Sequence, residues 1–226
     1  MMRLLILMAV LSAAGWLYYR AVYFYRDPAR TIPVGDNIVA PADGTIVYAH
    51  LVEDGQLPIC VKEGKVIRLE EITMTSMPSG SFWHVGIFMS PYDVHVNRAP
   101  VAGAVRFRQH YQHANLSMRG METRRMLRRR PLYRDALHIT ENERNTVLIS
   151  GELPVWVVQI ADEDVNKIDC WIGEGDTVSK GQRYGRIVMG SQVDLIFPDR
   201  EGIHIAVREG QHVKAGESIV AYYQPA

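Results

Sequence analysis

From Val39 to the C-terminus, short Val- and Ile-rich runs alternate with Gly, Pro and Asp turns. That rhythm restricts the chain to a mainly β fold, because runs of this length bounded by turn residues read as strands. Strands are predicted at 44–48, 65–69, 83–88, 101–107, 146–149, 155–160 and 203–207. Their spacing suits a β-sandwich or barrel. A length of 226 residues holds one sizeable domain, or one domain with a small appendage.

A weak internal echo sharpens this. VAPADGTIV from Val39 resembles RAPVAGAVR from Arg98, and IGEGDTVSKGQRYGRI from Ile172 resembles VREGQHVKAGESIVAY from Val207. The second pair shares Gly-x-x-Val-x-x-Gly with a lysine before the last glycine, where tight turns call for glycine. The pattern resembles the barrel-sandwich domains of the lipoyl and biotinyl type. It lacks the hairpin motif that presents their modified lysine, so a carrier function is not implied.

The N-terminus is of a different kind. Residues 4–19 carry no charge, Arg20 follows, and Tyr23-Phe24-Tyr25 closes the segment. A membrane span needs about 20 apolar residues. Arg20 can snorkel and Trp16, Tyr18 and Tyr19 suit an interfacial belt, so residues 1–26 are expected to be a membrane-associating helix. A cleaved signal peptide and a buried helix are the competing readings. Arg20, Arg26 and Arg30 outweigh Arg3, which places the main domain, 27–226, on the cytoplasmic side of the cell membrane. Asp27-Pro28 and Ile32-Pro33-Val34-Gly35 read as the linker.

The formal net charge is zero, so nothing global points to nucleic acid. Cys60 and Cys170 have no metal-ligand spacing and read as two thiols or one disulfide. The stretch 109–145 breaks the β rhythm. It carries Arg119, Arg124, Arg125, Arg128, Arg129, Arg130 and Arg134 among Met118, Met121, Met126 and Leu127. It reads either as a solvated loop with a short amphipathic helix, or as a lid that meets anionic headgroups.

Candidate chemistry centres on Gly190-Ser191. A serine hydroxyl can attack the preceding carbonyl, turning the amide into an ester, and elimination then leaves a pyruvoyl group. Most Gly-Ser pairs simply mark turns. Self-cleavage needs a base, a group to orient it and a donor for the oxyanion. His95 is the candidate base; Asp43 and Asp93 are candidate orienters. On a strand, Asp93 and His95 would share a face. Read plainly, Asp43 is a turn residue before Gly44, His95 a half-buried histidine, and Asp93 a partner for Arg98.

Three segments in order, PADG from Pro41, FMSPYDVHVNRAP from Phe88 and GQRYGRIVMGSQVD from Gly181, resemble the phosphatidylserine decarboxylase family in its short form, which includes archaeal-type enzymes. The resemblance runs from Tyr23 to the end. It implies a proenzyme cut between Gly190 and Ser191 into a β chain, 1–190, and an α chain, 191–226. It implies a covalent pyruvate made from Ser191 as cofactor, no metal, and a Schiff base with a serine-headgroup lipid, ester- or ether-linked, that ends in the ethanolamine lipid. It assigns Asp43, His95 and Ser191 to self-cleavage. Longer members have a His-x-Val-His arrangement, and here Tyr92 stands at the first histidine. Either His95 serves decarboxylation too, or Tyr92 or another histidine takes over, His84 being the next choice. VWVVQIA from Val155 is also family-like, but the following stretch, 162–168, is more acidic than usual. A membrane-anchored adaptor with a lipoyl-like domain, a zinc peptidase and a family member that has lost its chemistry are the alternatives.

Overall fold

The computed structural model describes residues 1–53, 55–61, 65–113, 115–133, 137–163, 168–188 and 190–224. Arg134, most of the acidic stretch after Asp162, Met189 and the side chain of Cys60 fall outside the described part; Cys170 is a free thiol. The chain opens with α1 (Met2–Tyr18) and one π-type turn (Tyr19–Tyr23). Met2–Tyr23 is 22 residues long, and its most apolar 18-residue stretch has a mean hydropathy of 1.6 with no buried residue. It is long and apolar enough to cross a membrane, which agrees with the expected apolar helix.

The remainder is mainly β, as expected. In chain order it runs β1 (Asn37–Val39), β2 (Gly44–Val52), β3 (Gln56–Val61), β4 (Lys65–Arg68), α2 (Leu69–Thr73), β5 (Phe82–Met89), β6 (Val96–Arg98) and β7 (Gly103–Tyr111). Then come α3 (Arg119–Met126), α4 (His138–Glu141), β8 (Arg144–Ser150), β9 (Pro154–Ala161), β10 (Ile168–Cys170), β11 (Thr177–Val178) and β12 (Arg183–Ile187). β13 (Ser191–Pro198), β14 (His204–Ile205), β15 (His212–Val213) and β16 (Ile219–Tyr222) complete it. Eight strands form one curled sheet in the order β11-β7-β8-β9-β13-β5-β2-β15. Two three-stranded sheets, β1-β16-β14 and β10-β12-β6, accompany it.

The internal echo is a structural pseudo-repeat. Val178 opposes Gly103 in β11–β7, and Val213 opposes Gly44 in β15–β2. The Gly181 N–H donates to Ala99 O as the Gly216 N–H donates to Ala40 O, both at 2.8 Å. The two halves interlock: Arg98 N–H donates to Pro41 O and Val39 N–H to Pro100 O. Each half therefore supplies the backbone partners that the other half's turn needs, which meets the demand that buried N–H and C=O groups be paired.

β13 lies at the centre of the large sheet, between β5 and β9, and is buried on both faces. Val193, Leu195 and Phe197 enter one core with Val85, Ile87, Val157 and Tyr184. Ile196 enters the second with Phe82, Phe88, Trp156, Met118, Met121 and Ile139. This is the period-two alternation of a strand, and each such apolar side chain contributes about 1.5–3 kcal/mol. Gly86 is needed on β5 because a Cβ there would enter the Tyr48 ring.

Several boundaries differ from expectation. Residue 69 opens α2 rather than ending a strand, and 203–207 keeps only two strand residues. The Arg-rich stretch is shorter than expected, since β7 runs to Tyr111 and β8 starts at Arg144; α3 is the expected short helix. Asp93 and His95 lie in the turn before β6, not on a strand.

Candidate active site

Ser191 is the first residue of β13 and is fully buried. Its side chain shares the face of Val193, and its Oγ lies 3.3 Å from Met89 Sδ. Gly190 is left-handed, at φ 49°, and a Cβ on it would stand 2.7 Å from Asp162 Oδ2. A glycine is required there both for its conformation and for its space. The carbonyl of Gly190 accepts the Asp162 N–H at 3.3 Å. A backbone N–H thus already points at the oxygen that would carry charge if Ser191 attacked. The Asp162 carboxylate is held in turn by the N–H groups of Met118 and Glu163, each at 2.7 Å.

His95 reaches the same end of the sheet through β6. Val96 pairs with Arg186 in β12, and Ile187 N–H donates to His95 O at 3.3 Å, just ahead of the Gly190–Ser191 bond. A buried line of amides ties β6 to the large sheet. Asn145 donates to Gln159 at 2.9 Å, Gln159 donates to Asn97 at 2.7 Å, and Asn97 meets the Met89 sulfur that also touches Ser191.

The protonation state of His95 follows from its contacts. Its Nδ1 lies 3.0 Å from Asp93 O. A carbonyl only accepts, so Nδ1 carries the hydrogen and Nε2 keeps a lone pair. Nε2 is buried and has no hydrogen-bond partner among the described residues. Burial lowers the pKa to about 4, against the Asp93 carbonyl, which favours the charged form. His95 is therefore a neutral imidazole at pH 7 with its acceptor nitrogen free. Among the described residues no hydrogen bond joins it to Ser191.

The two aspartates have other partners. Asp43 takes a fork from Arg30 Nη2 at 2.8 and 3.0 Å and the Ala215 N–H at 2.7 Å. Asp93 accepts from Ser90 N–H and Oγ and from His212 Nε2 at 2.8 Å, not from Arg98. Burial would raise Asp93, but the His212 and Ser90 hydrogen bonds together hold it below its usual range. The same bond to Asp93 raises His212. Arg98 pairs with Asp27 at 2.7 Å. Tyr92 is exposed.

His84 lies on the opposite face of β13 from Ser191. Its Nε2 donates to Asp194 Oδ2 at 2.7 Å, in a buried network with Tyr48, Gln192 and His138. Every member is bonded to another, as a buried polar cluster requires.

The segment after α1 roofs this region. Phe24 is buried with its ring 4.2 Å from the His95 ring. The Tyr19 hydroxyl donates to Pro91 O at 2.7 Å, and Arg26 donates to Tyr92 O. Asp27 and Arg30 then pair with the domain. Sequence reasoning missed Phe24, Arg30, Asp162 and His212. His212 carried a signal, since it sits in the second copy of the glycine repeat, which pairs with the strand that follows Asp43. The other three had none, because their roles come from contacts distant in sequence.

With the geometry in place, comparison with known proteins is informative. A family model described as phosphatidylserine decarboxylase matches residues 17–221. A protein of Methanocaldococcus jannaschii named "Putative archaetidylserine decarboxylase proenzyme" is 38% identical over 204 residues, covering 88% of either chain. The "Phosphatidylserine decarboxylase proenzyme" of Chlorobaculum tepidum is 34% identical over 211 residues, 92% of this chain and 80% of that one. A Methanothermobacter thermautotrophicus protein with the same name as the first is 34% identical over 211 residues, 89% of this chain and 80% of its own.

Proposed function

This chain belongs to the phosphatidylserine decarboxylase family, and from that premise we propose that it cleaves itself at Gly190–Ser191 and then decarboxylates a serine-headgroup phospholipid, ester- or ether-linked, to the ethanolamine lipid. The observation that carries the reading is the free, buried Nε2 of a neutral His95 near a buried Ser191 whose scissile carbonyl already holds an N–H donor.

In self-cleavage His95 takes the Ser191 hydroxyl proton, and Oγ bonds to the Gly190 carbonyl carbon. The Asp162 N–H holds the oxyanion, His95 passes its proton to the Ser191 nitrogen, and the C–N bond breaks to give an ester and a free amine. Loss of the Ser191 α-proton expels the Gly190 carboxylate. Water then replaces the nitrogen, which leaves as ammonia. The chain becomes 1–190 and 191–226. A rotation of Ser191 Oγ from Met89 Sδ toward His95 is the movement this requires.

The residues fit a pyruvoyl group at position 191: the site is buried and headed by the left-handed Gly190. That group supplies an electrophilic carbonyl that binds the substrate amine and accepts electrons as CO₂ leaves. His95, whose Nε2 has no hydrogen-bond partner among the described residues, returns a proton to the substrate carbon. Asp43 acts through Arg30 and the Ala215 loop, and Asp93 fixes the His95 tautomer through its own carbonyl. Met2–Tyr23 anchors the enzyme in the bilayer where its substrate lies, with the body on the cytoplasmic side as the balance of Arg20, Arg26 and Arg30 over Arg3 favours.

Ser191→Ala tests the assignment. The variant is expected to stay a single chain on a denaturing gel and to release no CO₂ from phosphatidylserine vesicles. A Ser191→Ala protein that still evolved CO₂ would remove the pyruvoyl group from the account.

A further inference from the structure

A cleft of 410 Å³ opens beside the Asp93–His212 pair, lined by Thr45, Arg125, Arg128, Arg130 and His212. Among the described residues no carboxylate lines it. It shares Arg130 and Gly210 with a broader cavity of 980 Å³, which Glu209 also lines. Arg125 is steadied from outside by Glu122 at 2.6 and 2.9 Å. Arg128 and Arg130 have no ion pair among the described residues. His212 is tied to Asp93 at 2.8 Å and remains half-exposed in the cleft. Arg128 and Arg130, beside an Arg125 and a His212 that are each held by a carboxylate, form a site for an oxyanion such as phosphate that accepts from two donors.

The position fits a substrate of the proposed centre. Thr45 opposes Phe88, and Ser191 opposes Met89 in the next pair of strands, so the two backbones are about 10 Å apart. The Thr45 side chain shares the Gln192 face, and the cleft meets the His95 end of the sheet through Asp93, whose carboxylate holds His212 and whose carbonyl holds His95. α3 starts at the Met118 N–H that holds Asp162 beside Gly190 and ends at the cleft. Between Arg125 and Arg128, Met126 is 72% exposed and Leu127 56%. Apolar side chains next to a cationic cleft are what an interfacial lipid site presents.

We propose that this cleft binds the phosphodiester of the lipid substrate's headgroup, with Arg128 and Arg130 as its main donors and Met126 and Leu127 dipping into the bilayer beside it. The assignment rests on the serine-lipid reading above. A soluble phosphate ester shares the same chemistry, and the test separates the two sources.

The full chain is compared with Arg128→Gln/Arg130→Gln, neither position belonging to the self-cleavage machinery. Processing on a gel should be equal, which reports an intact fold. With phosphatidylserine vesicles, KM should rise about tenfold or more with kcat little changed, the pattern of lost ground-state binding. Binding of glycerophosphoserine to uncleaved Ser191→Ala chains, read by calorimetry, should weaken by about the same factor on adding the two changes. Unchanged KM and unchanged diester binding would overturn the proposal. Weaker diester binding with unchanged vesicle turnover would assign the cleft to a soluble ester and overturn the lipid assignment. No turnover by the unmodified, processed chain would instead count against the serine-lipid reading, while the binding comparison still decided whether the cleft holds a phosphodiester.

Discussion

At His95 a single backbone contact decides which nitrogen is basic, and burial decides at which pH it stays basic. Its pKa of about 4 lies below the ordinary value near 6.5. Self-cleavage should therefore be flat with pH from about 8 down to 5 and fall only near 4, measured as the rate of band splitting after rapid refolding. An acid limb near 6.5 would mean a solvated imidazole. The same shift has a sign for stability. Between about 4 and 6.5 the unfolded chain binds the proton and the folded one does not, so stability is full above 6.5 and is lost as pH falls toward 4, by roughly 3 kcal/mol in all. Ser191 and His95 were legible because their segments carry a recognisable order. The tautomer of His95, the Asp162 donor on Gly190 and the pairing of Asp43 with Arg30 were not, since each depends on a turn or strand register that single residue types do not encode.

At the scale of elements, two features join the membrane helix to the chemistry. Residues 19–30 form a strap that covers His95 through Phe24 and grips the 90–98 segment through Tyr19, Arg26 and Asp27. Phe24→Ala should cost about 3–5 kcal/mol and admit water to His95. The acid limb of self-cleavage should then move from near 4 toward 6.5; an unmoved limb would show that other groups dry the imidazole. The strap was read from sequence as the end of the membrane-associating helix, up to residue 26, followed by a linker from Asp27-Pro28, because its contacts with the body are all non-local. β13 escaped notice for a different reason. Val193, Leu195 and Phe197 do alternate, but with the polar Gln192 and Asp194, and both of these are buried in the network with Tyr48, His84 and His138.

For the molecule as a whole, the glycine repeat was the most telling sequence signal. It marked a repeated turn-and-strand pattern, and the structure joins the two halves by reciprocal hydrogen bonds. It did not foretell that an eight-stranded sheet would run through both, since strand order arises from pairing across the chain. The apolar helix contributes nothing to either core. Deleting residues 1–18, which leaves the strap, should preserve folding and self-cleavage and abolish flotation with liposomes. A truncated chain that still floated fully would locate the membrane contact in the body, for instance at Met126 and Leu127. The central claim is that this chain makes its own electrophile at position 191, and the intact mass of the purified full-length protein tests it most directly. The account predicts two fragments, the smaller beginning at residue 191 with the mass of a pyruvoyl terminus and resistant to Edman degradation. A single uncut chain of full mass, or a small fragment that begins with an ordinary serine, would contradict it.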